Sequence, residues 1–203
     1  MSEPGEIGAI VLAAGASRRF GSDKLLHPLT RRGVRLPLAA HSLLPWLETF
    51  GQITVVVRPE ADAFCAEIEA ALGEGNSAGL RWVACADAAQ GMAASLACGV
   101  HANRDAAGWL VGLADMPAVP PAAIAGVRNA LSGGADLAVP HCNARRGHPV
   151  GFAAHYREEL LALRGDSGAR HLLERDASNV AHVRVNNAGI LADVDTLGDL
   201  RHL

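Results

Sequence analysis

Small and basic residues stand together directly after the first apolar run of the chain, in the segment 12–24. Small residues at the end of a strand let backbone N–H groups approach a phosphate chain, and arginine and lysine supply positive charge. The segment is not a P-loop, since no Gly-Lys-Ser/Thr closes it, and it lacks the glycine spacing of a dinucleotide-binding loop. A tight strand exit with solvated arginines is the alternative. The candidate phosphate-binding residues are Leu12, Ala13, Ala14, Gly15, Arg19 and Lys24.

Asp115 follows another strand-like run, in the sequence Leu113-Ala114-Asp115-Met116-Pro117. A carboxylate at this sheet edge is placed to hold a hard cation such as Mg²⁺ against phosphates. The alternative is that Asp115 caps a turn ahead of Pro117. A later acidic pair, Asp193 and Asp195, would share one face if the segment were a strand, and would point at the same cation. The alternative for this pair is an N-cap of the terminal helix by Asp195 or Thr196.

Three further segments are weaker on chemistry alone. Gly91 and Ser95 lie where backbone groups could read a nucleobase edge, but glycine before an alanine-rich run is also an ordinary helix start. Asp166 or Ser167 could cap a following helix, and Arg146 and Arg170 would add positive charge to an anion site there. His148, which precedes a proline, is either a turn residue or part of that site. The site would bind a second, phosphorylated substrate, called the acceptor below. Its candidate residues are Arg146, His148, Asp166 and Arg170.

The pattern L-A-A-G-x-S-x-R-x-G-x-x-K, followed by L-A-D-x-P, D-x-D-T, R-G-H-P and G-D-x-G-A-R, resembles the molybdenum cofactor cytidylyltransferase and molybdopterin nucleotidyltransferase family. The resemblance runs from Ile7 to Leu200. It departs at Phe20, where methionine is common, and at Leu197-Gly198, where the family has Pro-Glu. A few extra residues after Lys24 are expected to lie in a turn.

The resemblance implies roles for the candidate residues. Arg19 and Lys24 would bind the triphosphate of CTP, and Gly91 and Ser95 would lie near the base. Asp115 with Asp193 or Asp195 would bind Mg²⁺, and the later motifs would bind molybdopterin or its molybdenum-bearing form. Members with L-A-A-G resemble the cytidylyl branch, whereas guanylyl members more often have L-A-G-G, so Ala14 favours CTP.

Along the chain, Ile- and Val-rich runs alternate with Ala- and Leu-rich stretches at helical spacing. This alternation predicts an α/β fold with a mostly parallel sheet, whose strands and helices must position the candidate residues. The turn-like residues 143–147 predict a hairpin insertion after the fifth strand. The resemblance implies a Rossmann-like three-layer sandwich of the nucleotide-diphospho-sugar transferase type. The expected strands are 7–12, 53–57, 80–84, 109–113, 136–139 and 180–185, and the expected helices are 36–50, 60–72, 90–103 and 121–131.

The 203 residues, half of them hydrophobic, are expected to form one domain with its own core, in which about 1–139 bind the nucleotide and about 140–203 bind the acceptor and complete the metal site. A net charge of -3 without a basic block argues against a nucleic-acid partner. The apolar run 7–14 is too short to cross a membrane. Four cysteines without a C-x-x-C pair are expected to be free thiols, and the expected location is the cytoplasm.

The expected activity is Mg²⁺-dependent transfer of CMP from CTP to the phosphate of molybdopterin, with release of pyrophosphate. Its partners would be small-molecule substrates and a molybdenum hydroxylase or dehydrogenase that receives the cofactor. The alternatives are a guanylyltransferase, another transferase with a different phosphorylated acceptor, and a non-catalytic carrier or insertion chaperone for the cofactor.

Overall fold

The computed structural model describes residues 5–15, 20, 23–165 and 168–202. The strands within these residues are β1 (Ile7–Leu12), β2 (Pro28–Arg31), β3 (Val34–Pro37), β4 (Ile53–Val57), β5 (Leu80–Ala84), β6 (Gly108–Leu113), β7 (Leu137–Cys142), β8 (Arg145–Arg146), β9 (Val150–Ala153) and β10 (Val180–Arg184). Eight of them form a mostly parallel sheet with the order β10-β7-β9-β6-β1-β4-β5, in which β8 pairs with β7. The remaining two, β2 and β3, form a separate antiparallel hairpin.

Helices cover both faces of the sheet, because both faces of the central strands are apolar. The helices are α1 (Leu38–Phe50), α2 (Asp62–Leu72), α3 (Glu74–Ser77), α4 (Met92–Ala102), α5 (Pro121–Ser132), α6 (Arg157–Ala162) and α7 (Arg170–Arg175). Along β1, Ala9 and Val11 belong to the core cluster that contains side chains of α1, α2 and α5, whereas Ile10 and Leu12 belong to the cluster that contains side chains of α4, α6 and α7. The three-layer α/β class expected from the sequence is thereby confirmed.

The expected hairpin insertion is confirmed after β7. Residues 143 and 144 turn the chain with positive φ angles, and β8 then runs antiparallel to the end of β7. The chain next enters β9, which lies antiparallel between β6 and β7 and so joins the two parts of the sheet. The extra residues after Lys24 form the β2–β3 hairpin, which turns through Arg32 and Gly33, both with positive φ.

Element boundaries differ from expectation where a backbone constraint was not visible in the pattern. Helix α2 begins at Asp62 rather than at residue 60, because Glu60 has a φ of 60°, outside the helical region. Helix α1 begins at Leu38, since the preceding residues belong to β3. Strand β7 extends to Cys142 because its last two residues pair with β8.

The four cysteines are free thiols, as expected. In the described part of the chain, no helix combines the length and the apolar character that a membrane crossing requires.

Candidate active site

A cleft of about 850 Å³ opens at the carboxyl ends of four neighbouring strands, β6, β1, β4 and β5. Ligands of open α/β sheets collect at this edge, because the loops that leave parallel strands converge there. The cleft is lined by Leu12, Ala13, Ala14, Gly15, Lys24, Leu25, Arg58, Pro59, Ala86, Ala88, Ala89, Gln90, Gly91, Met92, Ser95, Leu113, Asp115 and Asp195.

Lys24, the only lysine in the 203 residues, lies in the floor of this cleft and is buried. It begins a short 3-10 helix whose first turn is capped by Asp23, which accepts a hydrogen bond from the backbone N–H of Leu25. Its Nζ donates to Asp115 Oδ2 at 2.8 Å, to the Val194 carbonyl at 2.8 Å and to Asp195 Oδ1 at 3.3 Å. One ammonium therefore joins three distant parts of the sequence.

The surroundings of Lys24 favour its charged form. Burial alone would lower the pKa of the ammonium, but the hydrogen bond and attraction from Asp115, and then those from Asp195, outweigh burial and hold the pKa above its ordinary value. Lys24 therefore stays positively charged at neutral pH, which suits contact with a polyphosphate.

Asp115 follows β6, and its neighbour Ala114 donates from its backbone N–H to the Leu12 carbonyl at 3.0 Å, which ties the exits of β6 and β1 together. The second carboxylate oxygen, Oδ1, is buried and has no hydrogen-bond partner among the described residues. A buried acceptor without a partner is costly unless a ligand or ion satisfies it. Asp115 thus fits the role of a cation ligand.

The described residues contain no group of three or more His, Cys, Asp or Glu side chains arranged to hold a metal ion. Asp115 and Asp195 instead meet through Lys24. A pair of carboxylates is still a suitable donor set for Mg²⁺, because this ion is commonly held by one or two carboxylates together with substrate phosphates and water. The residues present therefore fit a divalent ion that arrives with a nucleotide.

The segment that carries Asp193 and Asp195 is not a strand, contrary to the premise that placed both carboxylates on one face. Its centre, Val194, is buried and donates from its backbone N–H to the Asp115 carbonyl at 3.0 Å. Asp195 contacts Lys24, whereas Asp193 is exposed and acts on His148 through its charge.

The expected helix cap in this segment is also different. Asp199 Oδ2 accepts hydrogen bonds from the backbone N–H groups of Asp195 and Thr196 and from the Thr196 hydroxyl. The carboxylate of the later residue therefore orders the turn before the terminal 3-10 helix Asp199–His202, whereas the sequence pattern had assigned the cap to Asp195 or Thr196.

The segment expected near the base does line the cleft. Gly91 has a φ of 115°, a conformation that favours glycine, and it forms the N-cap position of α4. Ser95 lies one turn into α4 and is buried at the cleft, while Met92 exposes 44% of its surface. The helix start and the cleft wall are therefore the same structure.

Arg58 is a cleft residue that the sequence reasoning missed. It follows β4 directly, and its guanidinium pairs with Asp23 at 3.4 Å while half exposed. The signal was available, since a charged residue at the end of a parallel strand is the observation that singled out Asp115.

The acceptor candidates are less closely assembled. Arg146 is exposed on β8, and exposed Arg170 pairs with Glu174 at 2.7 Å. His148 has a buried Nδ1 without a hydrogen-bond partner in the described residues. Burial lowers the pKa of His148, Asp115 and Asp193 oppose this, and Arg146 adds to the lowering, so the imidazole is neutral at pH 7.

Two candidates, Arg19 and Asp166, lie outside the described residues, as does Ser167. Helix α7 begins at Arg170, after the position at which a cap by Asp166 or Ser167 was expected.

A family model described as the MobA-like NTP transferase domain matches residues 9–182. No curated protein matches the chain.

Solved structures match over nearly the whole length. The crystal structure of Rv0371c from Mycobacterium tuberculosis H37Rv is 26% identical with a TM-score of 0.81, covering 98% of this chain and 97% of that one. A manganese complex of Rv0371c is 25% identical with a TM-score of 0.73, again covering 98% and 97%. Molybdopterin-guanine dinucleotide biosynthesis protein A from Archaeoglobus fulgidus, 19% identical with a TM-score of 0.62, covers 97% of this chain and 96% of its own, and shares the fold.

Proposed function

Because the chain belongs to the MobA-like NTP transferase domain family and is thus a nucleotidyltransferase, we propose that it transfers CMP from CTP to the phosphate of molybdopterin. The observation that carries the proposal is the position of Lys24. It is a charged, buried ammonium between two carboxylates, at the end of a loop of small residues, in the floor of a nucleotide-sized cleft.

The reaction needs no protein nucleophile. A phosphate monoester with a second pKa of about 6 is mostly dianionic at pH 7, so one of its oxygens attacks the α-phosphorus without a general base. The new P–O bond forms as the bond from the α-phosphorus to the bridging oxygen breaks, and pyrophosphate leaves with the electron pair. The barrier lies in aligning two polyanions and stabilising the leaving group.

The cleft residues match these needs. The backbone N–H groups of Ala14 and Gly15 would approach the phosphates, since that of Ala13 donates to the Val56 carbonyl at 2.8 Å, and Lys24 would neutralise the charge that develops on pyrophosphate. The guanidinium of Arg58 is half exposed at the cleft. It would therefore release its ion pair with Asp23 and contact a phosphate or the ribose of the nucleotide instead. Arg19 would act with them.

Asp115 and Asp195 would hold a divalent ion, for which Mg²⁺ is proposed. When bound, the ion supplies charge neutralisation at the phosphates. The unpartnered Oδ1 of Asp115 supports this assignment. Asp193 remains a candidate for the same ion, and the manganese complex of Rv0371c is consistent with divalent-ion chemistry in this fold.

The acceptor would bind beyond the cleft. A neutral His148 can donate to a pterin or phosphate oxygen without bringing charge, and Arg146 and Arg170 would attract the acceptor phosphate, with Asp166 nearby in sequence. The product would pass to a molybdenum hydroxylase or dehydrogenase in the cytoplasm.

The choice of CTP is proposed from Ala14, which lines the cleft and is buried. Its methyl group takes space that a glycine would leave to a purine. We therefore expect pyrophosphate release with Mg²⁺ and a molybdopterin-containing fraction to be fastest with CTP when CTP, GTP, ATP and UTP are compared.

The matched variants are Asp115→Asn, expected to lose most activity, and Asp105→Asn, whose side chain is 79% exposed and which should match the wild type. A preference for GTP would assign the chain to the guanylyl branch, with Ala14→Gly as the next variant. Nucleotide or cofactor binding without any pyrophosphate release would instead favour a non-catalytic carrier or insertion chaperone for the molybdenum cofactor.

A further inference from the structure

Two histidine rings meet at the edge of the sheet, on the face that α4, α6 and α7 cover, and neither residue lines the cleft. His182 Nδ1 lies 3.0 Å from His141 Nε2, and the ring centroids are 4.4 Å apart at 80°. The residues belong to neighbouring parallel strands, β10 and β7. In the strand register His182 pairs with Val139, and Val139 precedes His141 by two residues. Because side chains alternate along a strand, the side chains of His141 and His182 project from the same face of the sheet.

We propose that His141 and His182 form a two-imidazole site for a borderline divalent transition-metal ion, of the class of Ni²⁺ and Zn²⁺. Metal–nitrogen bonds to histidine measure about 2.0–2.1 Å, so two nitrogens 3.0 Å apart subtend an angle of roughly 95° at one ion. That angle lies between the square-planar value and the tetrahedral value. An ion can therefore take the place of the hydrogen between the two rings once the rings turn toward it. The displaced proton moves through solvent to the other nitrogen of the same ring, so both rings stay neutral.

The protonation state of His141 suits a metal ligand. Burial, then the neighbouring His182 and Arg146, lower the pKa of His141, which leaves its ring neutral at pH 7 with a lone pair available. His182 is exposed and His141 is half-buried, so water molecules can fill the remaining coordination positions.

Nearby charges determine which ions can bind. Arg146 and Arg184 are the strand partners of His141, and both are exposed. Their positive charges oppose a divalent cation, although the field of Arg146 also reaches the carboxylate of Glu174. The pair therefore selects ions with high intrinsic affinity for imidazole and discriminates against Mg²⁺ and Ca²⁺, which prefer oxygen ligands.

The site would connect β10, the edge strand, to β7. A bound ion is a ligand of the folded state, so it should raise the thermal stability of the chain by an amount that grows with the logarithm of the ion concentration divided by Kd. This readout is independent of nucleotidyl transfer, and the inference does not depend on the proposed substrate.

The test uses the full chain without an affinity tag and with excess Mg²⁺, so that the carboxylates of the cleft do not compete for the probe. Isothermal titration with Ni²⁺ is expected to show one ion per chain. His182→Ala should lose at least about tenfold in affinity, since even the loss of a residue that only orients a metal ligand costs 10- to 100-fold. His101→Ala, which removes an exposed histidine of α4, should bind like the wild type.

Thermal unfolding with and without Ni²⁺, and with EDTA as the reference, provides the second measurement. The wild type should gain stability with Ni²⁺, while His182→Ala and His141→Gln should not. Absence of stoichiometric uptake, or equal uptake by His182→Ala, would overturn the proposal. If His182→Ala does not fold in EDTA, the comparison with His141→Gln decides in the same way.

Discussion

At the scale of single residues, replacing Lys24 should change two quantities that can be measured separately, the rate of nucleotidyl transfer and the free energy of unfolding. Lys24→Met should lower the transfer rate by about 10²–10³-fold, the usual cost of losing one preorganised charge contact. It should also lower the free energy of unfolding by about 1–3 kcal/mol, because Asp115 loses the hydrogen bond that satisfies its Oδ2. Activity assays and denaturant unfolding measure the two effects.

The control for this variant is Arg104→Met, since Arg104 is exposed and pairs only with exposed Asp105 among the described contacts. Added Mg²⁺ should restore part of the stability of Lys24→Met, because a cation between the carboxylates of Asp115 and Asp195 substitutes for the ammonium. A variant that keeps the wild-type rate would contradict the role given to Lys24.

Asp176 is the residue with the clearest pH signature. Hydrogen bonds from Arg175 and then from Tyr156 lower its pKa from 3.8 to about 2. Because the pKa is lower in the folded state, the stabilisation is complete above the unfolded pKa and is lost as the pH falls from about 4 to about 2.

We therefore expect Asp176→Asn to flatten the acid limb of the stability curve in this window, as measured by urea unfolding at stepped pH. Tyr156→Phe should flatten it partly, since the Arg175 contact remains. An unchanged slope in Asp176→Asn would show that this carboxylate does not control acid stability.

At the scale of elements, the packing of α1 on β6 depends on one missing side chain. A Cβ added at Gly112 would lie 2.1 Å from Trp46 Cζ2, so an alanine there must displace the indole or separate the helix from the sheet. Gly112→Ala is expected to lower the free energy of unfolding by about 1–3 kcal/mol, the usual range for overpacking.

The matched substitution is Gly75→Ala in α3, where an added Cβ meets nothing within 4 Å. It should be neutral or slightly stabilising, since alanine has the higher helix propensity. Thermal unfolding of both variants tests the packing argument, and equal effects would refute it.

The elements also show what local sequence can specify. The bounds of β1, β4 and β5 were predicted from apolar runs alone, because strands buried on both faces leave a continuous signal. The insertion of β9 between β6 and β7 was not predictable, since pairing order is a non-local property. Nor could periodicity indicate the positive φ of Glu60 that delays α2.

Several residues that line the cleft were predictable from the sequence, whereas their contacts were not. Position after a strand predicted that Lys24 and Asp115 would face one sheet edge, and both line the cleft there. Gly91, which the family resemblance singled out, lines the same cleft. The hydrogen bonds of Lys24, which span 91 residues to Asp115 and 170 residues to Val194, required the folded chain.

At the scale of the whole molecule, the cleft takes residues from both ends of the described chain, so a nucleotide bound there stabilises the entire fold. At a nucleotide concentration of 100 times Kd the gain is about 2.7 kcal/mol. For a chain of this size that corresponds to a rise in Tm of about 5–11 °C.

Scanning calorimetry with Mg²⁺ and each nucleoside triphosphate should show the largest rise with CTP. Asp105→Asn should reproduce the wild-type shift, and Lys24→Met should reduce it. No rise with any of the four nucleotides would contradict nucleotide binding in this cleft.

The single lysine has a consequence for the covalent chemistry of the protein. All other residues in the Lys+Arg total of 18 are arginines. The only lysine ε-amine that an acylating or carbonyl reagent can modify therefore lies in the floor of the cleft. Apart from the terminal α-amine, lysine-directed labelling would report on the site alone. Since Lys24 is buried and held protonated, we expect it to react slowly until its carboxylate partners are removed.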